Sequence, residues 1–197
     1  MHISFTNPDP NSPLPYFRGK AKIEDYLKQI GISYAILRPA VLFGKEDILI
    51  NNIAWALRRL PVFGIYGAGR YRLQPIYADD LAMVAVDQIR GATNETIDAI
   101  GPETYSYRGM VEVIAREIGS RALIMSMPPM LAYQAVRVLG WTVGDVINTR
   151  DEVRGLMQEK LYVQSPPLGA TKLSDWVRES RQDIGRRYAS ELQRRLD

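Results

Sequence analysis

The feature that most constrains this chain is a strand, a helix and a second strand packed into its first 39 residues. Ile3, Ser4, Phe5 and Thr6 form a short strand-like run. It leads into Asn7-Pro8-Asp9-Pro10-Asn11-Ser12-Pro13, a loop signal dense in proline and in residues that bend the backbone. Pro15 then stands where a first helical turn tolerates proline, and Ala21, Ile23, Glu24, Tyr26 and Leu27 carry a helical pattern as far as Gly31. Residues 32–37 are mostly apolar and close on Arg38 and Pro39, the signature of a strand covered on both faces. Two strands joined by one helix form a right-handed crossover and therefore pair in parallel. The chain is expected to fold as an α/β protein around a parallel sheet.

The same reading continues downstream. A helix is expected over 50–59, a glycine-punctuated stretch through Gly64, Gly67 and Gly69, and a strand near 73–77. Asp79 and Asp80 are placed to cap and charge a helix reaching Ile89. Residues 96–100 read as a strand ended by Gly101 and Pro102. Ser106 or Tyr107 opens a helix that runs to Ile118 and stops at Gly119. A strand over 122–127 and helices over 130–139, 150–158 and from Leu173 to the end complete the pattern. From Arg181 onward Ile184, Tyr188, Leu192 and Leu196 suggest an apolar stripe, with Arg186, Arg187, Arg194 and Arg195 on the other faces of a docking helix. No linker or repeat divides the sequence, so residues 1–197 are read as one domain.

Composition narrows the chemistry. There is no cysteine, and the one histidine is His2. Disulfides, thiolate nucleophiles, Cys/His metal sites and a serine triad built on an internal histidine are excluded. The net charge of +3 is spread along the chain, which argues against nucleic acid as a partner. The most apolar stretch, 122–138, is broken by Pro128 and Pro129 and is too short to span a bilayer. The absence of cysteine fits a reducing, cytoplasmic setting.

Tyr16 and Lys20 stand one turn apart on the first helix and share a face. An ammonium close to a phenol lowers the phenol's pKa from about 10 toward neutrality, which would make Tyr16 a general acid/base. The plain alternative is a surface tyrosine beside a solvated lysine. Arg38 and Pro39 end a strand at the carboxyl edge, where open α/β sheets bind ligands, or simply terminate it. Asn51 and Asn52 stand where they could serve as ordinary helix-capping residues. Met125, Met127, Met130, Leu131 and Tyr133 read as core, with a lipophilic pocket as the alternative.

Four stretches in order give these residues a context: His2-Ile3-Ser4-Phe5-Thr6-Asn7, Tyr16-Phe17-Arg18-Gly19-Lys20-Ala21, Leu37-Arg38-Pro39-Ala40-Val41-Leu42-Phe43-Gly44 and Pro75-Ile76-Tyr77-Ala78-Asp79-Asp80-Leu81-Ala82. With them the chain resembles the extended and atypical short-chain dehydrogenases/reductases, which include nucleotide-sugar epimerases and a reductase-like accessory subunit of respiratory complex I. The resemblance covers almost the whole chain, most loosely after Gly140. It implies a partial Rossmann-like parallel sheet, the second half of the fold, followed by a helical C-terminal substrate-side region. It also implies NAD or NADP as cofactor. Tyr16 would be the acid/base, Lys20 the residue that contacts the nicotinamide ribose, and Thr6, with Ser4 second, the hydroxyl beside the reacting oxygen. Arg38, Pro39, Ala40 and Val41 would border the nicotinamide, and Asn51 and Asn52 would contact substrate, with helix capping as the alternative.

The glycine loop that grips the pyrophosphate in this family is not in the sequence. Gly64, Gly67 and Gly69 have the wrong order and context for it and read as turn glycines, and Gly44-Lys45-Glu46 lacks the hydroxyl residue of a P-loop. The chain is therefore expected to be the C-terminal portion of a longer protein, or to complete its sheet with another chain at an exposed edge. Two functions follow: an NAD(P)-dependent oxidoreductase or epimerase acting on a small molecule, or a non-catalytic protein that keeps the fold for binding or assembly.

Overall fold

In the computed structural model, which describes residues 1–91 and 94–194, the elements follow in the order β1 (His2–Ile3), α1 (Pro15–Gln29), β2 (Ala35–Pro39), β3 (Val41–Phe43), α2 (Leu49–Arg59), β4 (Val62–Tyr66), β5 (Arg72–Leu73), β6 (Pro75–Tyr77), α3 (Ala78–Gly91), β7 (Glu95–Ala99), β8 (Tyr105–Ser106), α4 (Tyr107–Glu117), β9 (Leu123–Met127), α5 (Pro129–Val143), α6 (Arg150–Met157), α7 (Leu173–Glu179) and α8 (Glu191–Arg194). They form two compact units. The first is Met1–Gly44, Arg72–Thr104 and Glu159–Leu173; the second is Lys45–Tyr71, Tyr105–Gln158 and the chain from Ser174. Each unit is assembled from three segments, so no linker marks the division in the sequence.

The first unit is the expected crossover. β1 pairs in parallel with β2, His2 opposite Ile36, and β2 pairs in parallel with β7, Ala35 opposite Glu95. β1 ends at Ile3, earlier than its pattern suggests. The pairing nevertheless continues, because Ser4 N donates to Leu37 O at 2.7 Å and Thr6 N to Pro39 O at 3.1 Å. β2 starts at Ala35 and closes on Arg38 and Pro39, its last two residues, as expected. Proline fits at the strand's last position, and the chain turns from there into β3, which pairs in parallel with β6. Leu37, Ile76, Leu81, Ala85 and Ala99 form the core between these strands and α3. Each fully buried aliphatic side chain of this kind contributes roughly 1.5–3 kcal/mol.

In the second unit β4 pairs in parallel with β9, Val62 opposite Leu123. Gly67 and Gly69 have positive φ and are turn glycines, but Gly64 is not: it lies inside β4, where a Cβ would meet the Met127 sulfur at 2.6 Å. The capping signals are realised at α4, where Gly109 N donates to Ser106 Oγ at 3.0 Å, and at α6, where Thr149 and Glu152 form a reciprocal box.

The expected C-terminal docking helix does not form. α7 ends at Glu179, and Gly185 takes φ +71 with its Cα against the Ala54 and Trp55 backbone, where a Cβ would lie 2.5 Å away. That left-handed residue stops a helix from running through Ile184 and Tyr188. Leu196 and Arg195 of the expected stripe lie outside the described residues, and of Arg194 only the backbone is described. Among the described residues no helix is long and apolar enough to cross a membrane.

Candidate functional site

Tyr16, Lys20 and Glu24 follow each other at one-turn intervals on α1, and the helix lays this face along the carboxyl ends of β1 and β2. Tyr16 is 53% exposed and sits in an edge-to-face group with Phe5 and Phe17, ring centroids 5.4 and 5.7 Å away. Lys20 Nζ lies 5.7 Å from the Tyr16 ring centroid and donates to Ile3 O at 2.9 Å. The lysine is thus held over the ring and tied to the strand. Burial pushes the Tyr16 phenol up from its usual 10.0, the opposite of the direction expected from the spacing alone.

The two hydroxyl candidates are sealed. Ser4 is 2% exposed and donates to Glu24 Oε1; Thr6 is 0% exposed and donates to Lys160 O at 2.8 Å. Asn7 closes the same seam, its Nδ2 donating to Lys160 O at 3.0 Å and Tyr162 O at 2.8 Å. The segment around Lys160 thereby covers the end of β1, with Lys160 Nζ 5.9 Å from the Phe17 ring centroid.

Glu24 is the residue whose role the sequence did not announce. Its carboxylate is 1% exposed, accepts from Arg38 Nε at 2.9 Å and from Arg38 Nη2, and lies 3.8 Å from Lys28. Burial alone would raise its pKa, but the hydrogen bonds from Arg38 and Ser4 and the charges of Arg38 and Lys28 outweigh that and hold it below 4.5. The available signal was an arginine inside an apolar strand, which needs a partner, and an acid at the third step of the Tyr16 and Lys20 face. Arg38 is accordingly turned onto Glu24. Pro39, Ala40 and Val41 are buried along the β2 to β3 turn.

Asn51 and Asn52 lie in the first turn of α2, in the second unit. They work as a pair of backbone mimics for the C-terminal segment: Asn51 receives Gly185 N and donates to Arg187 O, both at 2.9 Å, and Asn52 receives Ala189 N at 2.9 Å and donates to Ala189 O at 2.8 Å. Asp80, read as a helix cap, is instead 5% exposed and accepts from Ala170 N at 2.8 Å and Thr171 N at 2.7 Å. The methionine group divides. Met127 and Tyr133 pack against the buried cluster of Tyr66, Ala132 and Val153, whereas Met125, Met130 and Leu131 are exposed, so neither core nor a closed pocket describes them.

One 30% identical relative, over 156 residues and 78% of this chain, is the mitochondrial 40 kDa subunit of the NADH-ubiquinone oxidoreductase of Neurospora crassa. The chain spans 40% of that subunit's length and less than half of the related subunits of Dictyostelium discoideum, Arabidopsis thaliana and Mus musculus. No family model matches. Among solved structures, the NADPH-dependent quinone oxidoreductase of Escherichia coli superposes with a TM-score of 0.71 at 21% identity, covering 90% of this chain and 63% of that one. A UDP-N-acetylglucosamine 4-epimerase from Methanobrevibacter ruminantium reaches 0.61 at 20% identity, covering 92% and 61%.

The chain resembles these subunits in sequence and shares its Rossmann-like fold with the quinone oxidoreductase and the epimerase. Its solved neighbours are named as epimerases and reductases, three of them in complex with NADP, NADPH or NAD, and its curated relatives are named as subunits of NADH-ubiquinone oxidoreductase or NADH dehydrogenase. The nicotinamide nucleotide that the resemblance implies can be tested against the residues present. At the ribose end there is room: an ammonium has three N–H donors and Lys20 commits one to Ile3, while the Tyr16 ring is half exposed. At the phosphate end these 197 residues contain no Gly-x-Gly-x-x-Gly sequence to hold a pyrophosphate.

Proposed function

We propose that this chain works within a nicotinamide-nucleotide-binding Rossmann protein of accessory type, which binds NAD(P) and protein partners without turning the nucleotide over. The observation that carries the reading is the fate of Ser4 and Thr6. In the family the chain resembles, a serine or threonine hydroxyl stands beside the reacting oxygen, and both candidates here are closed to solvent and engaged with Glu24 and Lys160. The raised Tyr16 phenol supports the same reading, and so does a curated relative named as a subunit of NADH-ubiquinone oxidoreductase. A small-molecule substrate is then not required. The cysteine-free composition supports work in a reducing, cytoplasmic compartment.

The second reading is an NAD(P)-dependent oxidoreductase or epimerase in which Tyr16 moves the proton. The observation in its favour is that Tyr16 stays half exposed with Lys20 one turn away. One experiment separates the two. The longest natural protein containing this chain is titrated with NADH and NADPH by calorimetry, then assayed for oxidation of either nucleotide by a soluble quinone and for epimerisation of nucleotide sugars. Accessory function gives binding without turnover, and Tyr16→Phe leaves the affinity within about twofold. Turnover that Tyr16→Phe abolishes overturns the accessory reading in favour of the enzyme. For the 197-residue chain by itself, the missing phosphate grip leads to affinity no tighter than about millimolar.

A further inference from the structure

In the first unit, residues 159–163 are fastened across the end of β1 by side chains. Thr6 Oγ1 donates to Lys160 O, Asn7 Nδ2 donates to Lys160 O and Tyr162 O, and Gln74 Oε1 accepts from Val163 N at 2.9 Å. The segment is neither helix nor strand but a turn, closed by Tyr162 N donating to Glu159 O at 3.2 Å. Of its five side chains only that of Leu161 is buried. Asn7 has φ +52, which suits asparagine, whereas Glu159 has φ +54, a left-handed conformation that a glutamate seldom adopts. Strain of this kind persists only where the surroundings impose it. A short turn with one apolar anchor, side-chain fastenings and a strained entry residue has the makings of a piece that opens while the rest of the fold stays closed.

Arg72, on β5, holds both sides of that turn. Its backbone N–H and its Nε donate to Glu159 Oε1, each at 3.1 Å, and its Nη2 donates to Glu159 Oε2 at 3.0 Å. Its Cζ lies 3.7 Å from the Tyr162 ring centroid. One side chain therefore grips the residue before Lys160 by a two-pronged ion pair and the residue after Leu161 by its ring. The grip is at the surface, with 45% of the Arg72 side chain and 39% of the Glu159 side chain exposed. Lys160 adds little of its own, its Nζ standing 4.0 Å from Asp9 Oδ2 and 5.9 Å from the Phe17 ring centroid. What the turn covers is Thr6, fully buried, with its hydroxyl engaged by Lys160 O. An exposed clasp thus closes a turn whose underside seals a polar group at the carboxyl end of a strand, where open α/β sheets bind ligands.

We propose that residues 159–163 form an autoinhibitory strap over the end of β1, that Arg72 is its latch, and that its closure withholds the Thr6 hydroxyl from the Tyr16 site. Opening frees Thr6 Oγ1 for a ligand at the sheet edge and relieves the backbone at Glu159. The inference rests on the accessory reading in taking Thr6 as silenced by burial. Its test uses no nucleotide, so failure here and failure of that reading are seen in different experiments. Amide exchange is followed by NMR on the whole chain. The Tyr162 and Val163 amides exchange faster than those of β2 and β7 in the parent. Arg72→Gln quickens them about tenfold, as expected when a bidentate surface pair and a cation–π contact are lost together, and Tyr162→Leu quickens them about threefold. Thr6→Val keeps the shape, removes the donor and quickens the same two amides about threefold. The amides of β2 and β7 keep parental rates in all three variants. Unchanged exchange in Arg72→Gln, a rise that spreads to β2 and β7, or failure of that variant to fold overturns the latch. Unchanged exchange in Thr6→Val overturns the link between the strap and the hydroxyl.

Discussion

In the first unit a buried charge is answered by another charge, Glu24 by Arg38, at the meeting of a helix and a parallel sheet. In the second unit the internal polar work is done against backbone: Asn51 and Asn52 close amide pairs with the C-terminal segment, Arg58 donates to Ile184 O at 3.0 Å and Arg181 O at 2.5 Å, and Arg59 donates to Gly185 O at 2.9 Å and Arg186 O at 2.6 Å. A buried ion pair concentrates its effect in two residues and depends on their protonation. A fan of side-chain to backbone bonds spreads its effect and is nearly indifferent to pH. The two units should therefore fail differently.

The ion pair gives the largest expected effect. Glu24→Gln leaves the Arg38 guanidinium without a countercharge, and lowers stability in urea by about 3 kcal/mol. That is the low end for breaking a buried pair, because a quarter of the Arg38 side chain is exposed. Replacing both partners by leucine restores most of the loss, since an apolar pair needs no compensation. The sign of the pH dependence follows from the lowered Glu24 pKa. Its contribution is full above 4.5, the unfolded value, and is lost as pH falls through the folded value. Glu24→Gln should flatten that acid limb. A loss under about 1 kcal/mol would remove the contrast between the units.

Next comes Gly185→Ala, expected to cost about 2 kcal/mol. A Cβ there meets the Ala54 and Trp55 backbone at 2.5 Å, at a φ of +71 that side chains rarely adopt. The segment can lift away locally, which limits the effect, so amide exchange should rise in 181–189 while the β1, β2 and β7 sheet stays protected.

This contrast also explains what the sequence revealed. The first unit was legible because its rules are local. Pro15 opens α1 at the first helical position, Gly31 ends it at φ +74, and the apolar run of β2 requires cover on both faces. The resemblance then placed Tyr16, Lys20, Ser4 and Thr6 in one neighbourhood. It could not give their state, because that depends on Lys160, 154 residues beyond Thr6, and on an acid hidden in an ordinary helical pattern. The C-terminal segment of the second unit was opaque for the same reason. Ile184, Tyr188 and Leu192 have helical spacing, but the bonds that hold their backbone come from Asn51, Asn52, Arg58 and Arg59, more than 120 residues earlier. Periodicity cannot see a partner that distant.

Truncating the amides tests the distributed side of the comparison. Asn51→Ala and Asn52→Ala each remove two hydrogen bonds to the C-terminal segment and should cost about 1–2 kcal/mol apiece. Because both hold the same segment, the double variant should lose less than the sum of the singles. Strict additivity, measured by chemical denaturation, would mean that 181–189 is held by independent contacts and does not release as one piece.

The smallest effect on stability, and the most direct view of the first unit's chemistry, comes from Tyr16. Its phenol is pushed above 10.0 by burial, and Lys20 is committed to Ile3 O and the ring instead of the hydroxyl. A difference titration at the phenolate absorption band, parent chain against Tyr16→Phe, should show no Tyr16 ionisation between about pH 6 and 9. Lys20→Met should not shift the Tyr16 transition toward higher pH, as it would if the ammonium were stabilising the phenolate. Repeating the titration on a longer natural protein saturated with NADPH carries the test to the proposed function. A Tyr16 transition that stays above 10 there means that the bound nucleotide does not organise an acid/base at this position. A transition drawn down toward neutrality would show that nucleotide binding rebuilds the pair which the chain by itself leaves unformed.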